Sequence, residues 1–212
     1  MAGPTLTAPE DLINNALGRI GYKLRIGSIY EGSAAANKAL DLYGQARDQL
    51  LRDDSYNWQF AERNVTLTLL KSAPALPGGG YGYIPPTVWN PAVNPPLPYL
   101  FEYAYPSDCI KIRSLKPTPF LLPEMDPRPV IYKDFNDNSF NPPQKAIACN
   151  VPGALLTYTG QVTDPSTWDS GFTEALCEEL AKVLAPSFNP EMLKLIVPDA
   201  ANAQMVAEAE QG

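Results

Sequence analysis

The sequence predicts an α+β protein: a helical bundle formed by both chain ends, with an inserted antiparallel β domain that is a sandwich or open barrel. Three observations lead there. Apolar residues recur at helical spacing over about 8–53 and again beyond 166. Between them lie short β-type runs separated by turn residues. Proline is abundant, 23 of 212 residues, about twice the ordinary ~5%, and it breaks the middle of the chain into short extended pieces. The expected boundaries are 1–59 and 165–212 for the bundle and 60–164 for the β domain.

The first helix is expected in "TAPEDLINNALGRIG". Thr7 and Glu10 have capping-box spacing, and Pro9 sits in the first turn, where its missing N–H costs nothing. Leu12, Ile13, Ala16 and Leu17 form one apolar face, and Gly18 and Gly21 are natural stops. A second helix is expected over 33–53, with Ala36, Ala39, Leu40, Tyr43, Ala46, Leu50 and Leu51 on its apolar stripe. Asp48 and Arg52 have the spacing of an i,i+4 pair. An aromatic knot follows, Tyr56, Trp58 and Phe60, read as the structural junction between helix and sheet.

A strand is expected over 60–70, with Val65, Leu67 and Leu69 alternating. Segment 72–98 is a Pro/Gly-rich arm. Its length exceeds that of ordinary loops, and Tyr81, Tyr83 and Trp89 favour burial against a subunit or tail partner. The whole stretch 72–101 lacks charge, yet eight prolines and four glycines rule it out as a membrane helix. Further strands are expected at 99–105, 109–115, 130–135, 146–149 and 155–159. Helix returns with Phe172, Leu176, Leu180, Val183 and Leu184 on one stripe, stopped by Pro186. Two short helical pieces close the chain, "NPEMLKLIVP" and "DAANAQMVAEAEQG".

Chemistry is sparse. With no histidine in the chain, Ser-His-Asp and Cys-His mechanisms and His-containing zinc sites fall away. Cys109, Cys149 and Cys177 are far apart and odd in number, and read as buried free thiols. "GGGYGY" lacks the Lys-Ser/Thr pair and following helix of a phosphate cradle. Asp134, Asn136 and Asn138 alternate as in a calcium loop, but Ser139 stands where glycine is needed and Lys145 where glutamate is needed. A hairpin turn is expected there instead. Glu178 and Glu179 are adjacent and read as a solvated face rather than an acid–base pair. The expectation is a non-enzyme with no catalytic residues, cofactor or metal.

Net charge is −7, which argues against gripping the phosphate backbone but suits a wall past which DNA slides. The opening "MAGPTLTAPE" has no basic stretch followed by an apolar one, so no secretory leader is expected.

Several stretches, in this order, are similar to the tail tubular protein A family of head-to-tail adaptors in tailed bacteriophages. They are "ALGRIG", "SAAANKALDLYGQARDQLLRDDSYNWQFAERNVTLTL", "YLFEYAYPSDCIKIRSL" and "ALCEELAKVLAP". The resemblance rests on Ile20–Gly21, the Ala-rich helix ending in Arg-Asp-x-Leu-Leu, Trp58 to Ala61, Tyr103 to Cys109, and Glu178, Leu180 and Ala181. It covers about two-thirds of the chain; 72–98 and 116–145 lie outside it. It implies a homo-oligomeric ring, usually dodecameric, between portal protein and tail nozzle or tube. DNA would pass through the channel without sequence-specific binding. It also implies a virion location in the neck or tail, after synthesis in the host cytoplasm, and no membrane anchoring.

The tail over 189–212 is expected to dock on the portal through Met192, Leu195, Ile196, Met205 and Val206. Its last helix is too short to hold alone in water, and Glu208 and Glu210 oppose its dipole. The competing class is a soluble β-sandwich carbohydrate- or ligand-binding module that stacks sugars on Tyr81, Tyr83 and Trp89.

Overall fold

A computed structural model describes residues 8–74, 89–117 and 130–192. It corrects the expected bundle. Among the described residues there are seven strands in two antiparallel sheets and only three α-helices, so the fold is not a helical bundle formed by both chain ends. The chain divides into two compact units, one drawn from Met1–Ala61 and Gln161–Gly212, the other from Glu62–Gly160.

In the first unit, α1 (Pro9–Arg19), α2 (Ala34–Arg52) and α3 (Ser170–Phe188) bury one face each. The cap of α1 is Ala8, which makes no side-chain cap bond, and Thr7 lies outside the described residues. Glu10 instead accepts the Ile29 N–H at 3.2 Å, tying down the α1–α2 connection. Gly21 takes φ +73°, which lets the Tyr22 N–H return to the Leu17 carbonyl at 2.9 Å. Ser33 caps α2 by accepting from Ala36, and Asp169 caps α3 by accepting from Phe172 at 2.6 Å.

Several local expectations for this unit change. Leu40 is 44% exposed rather than part of the buried stripe. Asp48 pairs with Arg47 and with Gln161, not in the expected i,i+4 bond. Pro186 does not stop α3, which runs one half-turn further to Phe188. A proline there removes only one bond near the helix end. Phe188 packs on Tyr22 with ring centres 4.9 Å apart, and Asn189 donates to the Ile20 carbonyl at 2.8 Å.

The second unit is a pair of sheets. The first has order β1 (Glu62–Thr66), β7 (Ala154–Gly160), β4 (Cys109–Pro117). The second has order β2 (Leu69–Ser72), β3 (Phe101–Ala104), β6 (Gln144–Cys149), β5 (Tyr132–Asp137). The expected single strand over 60–70 is therefore two strands in different sheets. Leu67 alone of its three alternating residues is buried; Val65 and Leu69 are exposed. The chain changes sheets at Leu67 and Thr68, so one alternation cannot persist across the break.

The core lies between the sheets. Leu67, Phe101, Tyr103, Ile147 and Cys149 meet Leu115, Ala154, Leu156 and Tyr158. Asp134 and Asn136, assigned to a turn by their spacing, stand within β5. The turn of the β5–β6 hairpin comes after Asp137.

Candidate functional site

The three junction rings all fall in the first unit. Trp58 is fully buried and stacks on Tyr56 at 4.8 Å. It meets Phe172 edge-on at 5.1 Å and Phe60 at 6.3 Å. Trp168 and Phe60 close on the same Phe172 ring at 5.0 Å each. The Trp58 indole donates to the Leu50 carbonyl at 3.2 Å. The knot thus joins the end of α2 to the start of α3, and its one polar atom has an acceptor.

Arg19 makes a second joint of this unit. It donates to Asn15 at 2.8 Å and to Glu174 at 2.6 Å, and pairs with Glu178. Glu178 is therefore held against α1 rather than forming a solvated face, and Glu179 pairs with Lys182 within α3. Cys177 is buried with its thiol donating to the Leu12 carbonyl at 3.7 Å, and desolvation pushes that thiol up to about 11. Cys149 is also buried, Cys109 is half-buried, and all three thiols are free.

Of the expected interface residues, Trp89 is half-buried, and Tyr81 and Tyr83 lie outside the described residues. Of the expected portal-binding residues, Met192 ends a single 3-10 turn, Pro190–Met192, and is half-buried. Leu195, Ile196, Met205 and Val206 lie outside the described residues.

The feature that sequence reasoning missed is a buried charge cluster in the second unit. Lys71 on β2 stands opposite Glu102 on β3, and Glu102 stands opposite Ala148 on β6. Phe101 and Tyr103 point into the core, so Glu102 points to the other face of the sheet. It is nonetheless 0% exposed, with Lys71 at 5% and Asp137 at 8%. Asn94 donates to the Ser72 carbonyl at 2.9 Å, and Lys71 donates to the Pro91 carbonyl at 3.0 Å. Segment 89–99 is thereby fastened along this face.

Lys71 also donates to Asp137 and to Ser139 Oγ at 2.7 Å, and lies 5.1 Å from the centre of the Phe140 ring. Asp137 additionally accepts from the Ser139 N–H at 2.8 Å. Despite its burial, its carboxyl falls to about 2, because Lys71, Ser139 and Glu102 all favour the charged form. Glu102 goes the other way, pushed up to about 7, first by burial and then by the neighbouring Asp137 carboxylate. The ammonium is committed to acceptors and enclosed, so the cluster holds structure rather than offering a nucleophile.

One signal could have found this cluster. Lys71 and Glu102 are the charges that bracket the uncharged stretch 72–101. A strand pairing that closes that stretch brings its two ends together.

Among the described residues, no helix is long and apolar enough to cross a membrane, and no group of three or more Cys, Asp or Glu could hold a metal ion. No protein-family model and no curated protein matches the chain.

Proposed function

We propose that the chain is a non-enzymatic, structural head-to-tail adaptor of a tailed-phage virion. In this reading its copies form a ring, dodecameric by the resemblance, between portal protein and tail nozzle or tube. DNA passes through the ring without sequence-specific contact. The protein is made in the host cytoplasm and resides in the virion neck or tail, without membrane anchoring.

One observation carries the reading: the residues behind the resemblance serve as joints of the framework. Ile20 and Gly21 end α1 and receive Asn189. Trp58 and Phe60 build the aromatic cluster. Tyr103 donates to the Val151 carbonyl at 2.8 Å, and Asp108 accepts from Tyr158 at 2.9 Å. Glu178 holds Arg19. A resemblance concentrated in packing positions is one of architecture, as expected where the family's work is assembly.

The docking tail is part of the proposal, with Met192, Leu195, Ile196, Met205 and Val206 as its portal contacts. So is the arm 72–98, with Tyr81, Tyr83 and Trp89 against a subunit or tail partner. The test is electron microscopy of the purified protein with portal rings, alongside co-sedimentation of a chain lacking 189–212. Rings that seat on portal, and loss of co-sedimentation on truncation, support the reading. A protein that stays monomeric beside portal and binds glycans overturns it in favour of a ligand-binding module.

A further inference from the structure

Lys71 has three N–H bonds to give. They go to Asp137 Oδ2, Ser139 Oγ and the Pro91 carbonyl. Glu102 Oε2 is 3.7 Å from the same ammonium, beyond a hydrogen bond; neither Glu102 oxygen accepts a hydrogen bond from a described residue, and the group that would share a proton held on Glu102 is the neighbouring Asp137 carboxylate. Two buried carboxyls thus face one cation whose protons are spent. If both ionised, the cluster would carry a net negative charge out of water, with one carboxylate lacking any donor.

Every described element around Glu102 points the same way. β2 contributes Lys71 and β6 contributes uncharged Ala148. β5 contributes Asp137 and, in register beyond Ala148, the exposed Lys133. The turn after β5 contributes Ser139 and Phe140. Segment 89–99 contributes the Pro91 carbonyl, which Lys71 reaches, and Asn94, which reaches the Ser72 carbonyl on β2. The only ammonium enclosed with Glu102 among these is Lys71.

We propose that Glu102 is a proton-controlled latch. A proton on its carboxyl keeps segment 89–99 closed over the outer face of the β2-β3-β6-β5 sheet, and loss of that proton lifts the segment so that water reaches the carboxylate. The segment is the natural part to yield. Its described side-chain fastenings to the sheet are two, the Lys71–Pro91 bond and the Asn94–Ser72 bond, before the chain is fixed at Leu100, whose carbonyl accepts from Ala73 at 2.7 Å and whose N–H donates to Asn150 at 2.9 Å. β3 is locked on both sides by strand pairing. Burial raises Glu102 into the neutral range, so the latch works near pH 7. The inference does not depend on the adaptor reading, because it concerns one unit of one chain.

The experiment is hydrogen–deuterium exchange of the full chain at pH 5.5 and pH 8.5, with labelling times scaled for the intrinsic rate, comparing wild type with Glu102→Gln. The amide is nearly isosteric with the protonated acid and cannot ionise. In wild type, protection of peptides spanning 89–100 should drop by about tenfold or more at the higher pH, and in the variant it should hold. Unchanged wild-type protection overturns the latch, as does an equal drop in the variant. A second readout stands independently of the variant's folding: the carbon-13 titration of the Glu102 carboxyl in wild type. A midpoint at or above pH 6 supports the latch, and any lower value overturns it.

Discussion

The Trp58 ring meets Phe172 edge to face, 5.1 Å between centres, while its indole N–H reaches back to the Leu50 carbonyl. One side chain thus links the last turn of α2 to the first turn of α3. Trp58→Ala should cost about 3–5 kcal/mol, the range for large aromatic truncations in a core. Trp58→Phe should cost less, since it keeps most of the apolar surface and loses one hydrogen bond worth about 1 kcal/mol. Urea denaturation followed by circular dichroism checks both. A loss below about 1 kcal/mol for Trp58→Ala would show that the ring is not a core residue.

The sequence announced the helices well and the sheets only in part. Ser33 and the stripe from Ala36 to Leu51 located α2, because capping and periodicity are local signals. Leu40 broke the pattern, because periodicity marks a face but not how far its edge is covered. Pro186 misled, because its cost falls where contacts from Tyr22 and Asn189 offset it. The split between β1 and β2 was hidden, since sheet membership depends on long-range pairing. Trp58 was read as a ring between helix and sheet, whereas the ring it meets, Phe172, lies more than 100 residues along the chain in α3 and could not be named from the sequence. For the same reason no local pattern gathered Lys71, Glu102 and Asp137; only the bracketing of 72–101 by Lys71 and Glu102 hinted at the pair, and nothing pointed to Asp137. Each is an ordinary charged residue until pairing gathers them on one covered face.

Tyr43 offers a test of polar satisfaction. Its side chain is buried, and its hydroxyl has no hydrogen-bond partner among the described residues. Burial raises its pKa above the ordinary tyrosine value, so the group stays neutral. Removing an unsatisfied buried hydroxyl removes a desolvation cost without losing a bond. Tyr43→Phe should therefore be neutral or stabilising, by up to about 1 kcal/mol. Thermal melting decides: a clear drop in Tm would show that the hydroxyl is bonded in solution.

Lys71→Met keeps the length of the aliphatic stem and deletes the ammonium. It should cost about 3–5 kcal/mol at pH 7, the range for stranding a buried charge. Asp137 would lose its cation, though the Ser139 N–H would remain. The penalty should shrink at pH 4, where both carboxyls of the variant can be protonated. Chemical denaturation at the two pH values tests this. An equal loss at both would point to packing rather than charge.

The two carboxyls also set the pH profile of the second unit, with opposite signs. Glu102 has a folded pKa raised from 4.5 to about 7. The folded state therefore binds its proton more tightly than the unfolded chain does. That contribution is complete below about pH 4 and is lost as pH rises through 7. Asp137 has a folded pKa lowered from 3.8 to about 2. Its contribution is present above about pH 4 and is lost as pH falls through 2. At 1.36 kcal/mol per pKa unit these shifts are worth on the order of 3 kcal/mol for Glu102 and on the order of 2 kcal/mol for Asp137. Stability of this unit should peak near pH 4 and decline toward pH 8, unlike the usual maximum between about 5 and 8. Glu102→Gln should flatten the decline above pH 4 and leave the acid limb in place, because Asp137 still titrates. The check is urea unfolding from pH 2.5 to 8.5, read through amide exchange in β3 and β6 so that the unit is followed by itself. If the variant keeps the full decline between pH 4 and 8, another group governs it, and the assignment of that limb to Glu102 is wrong.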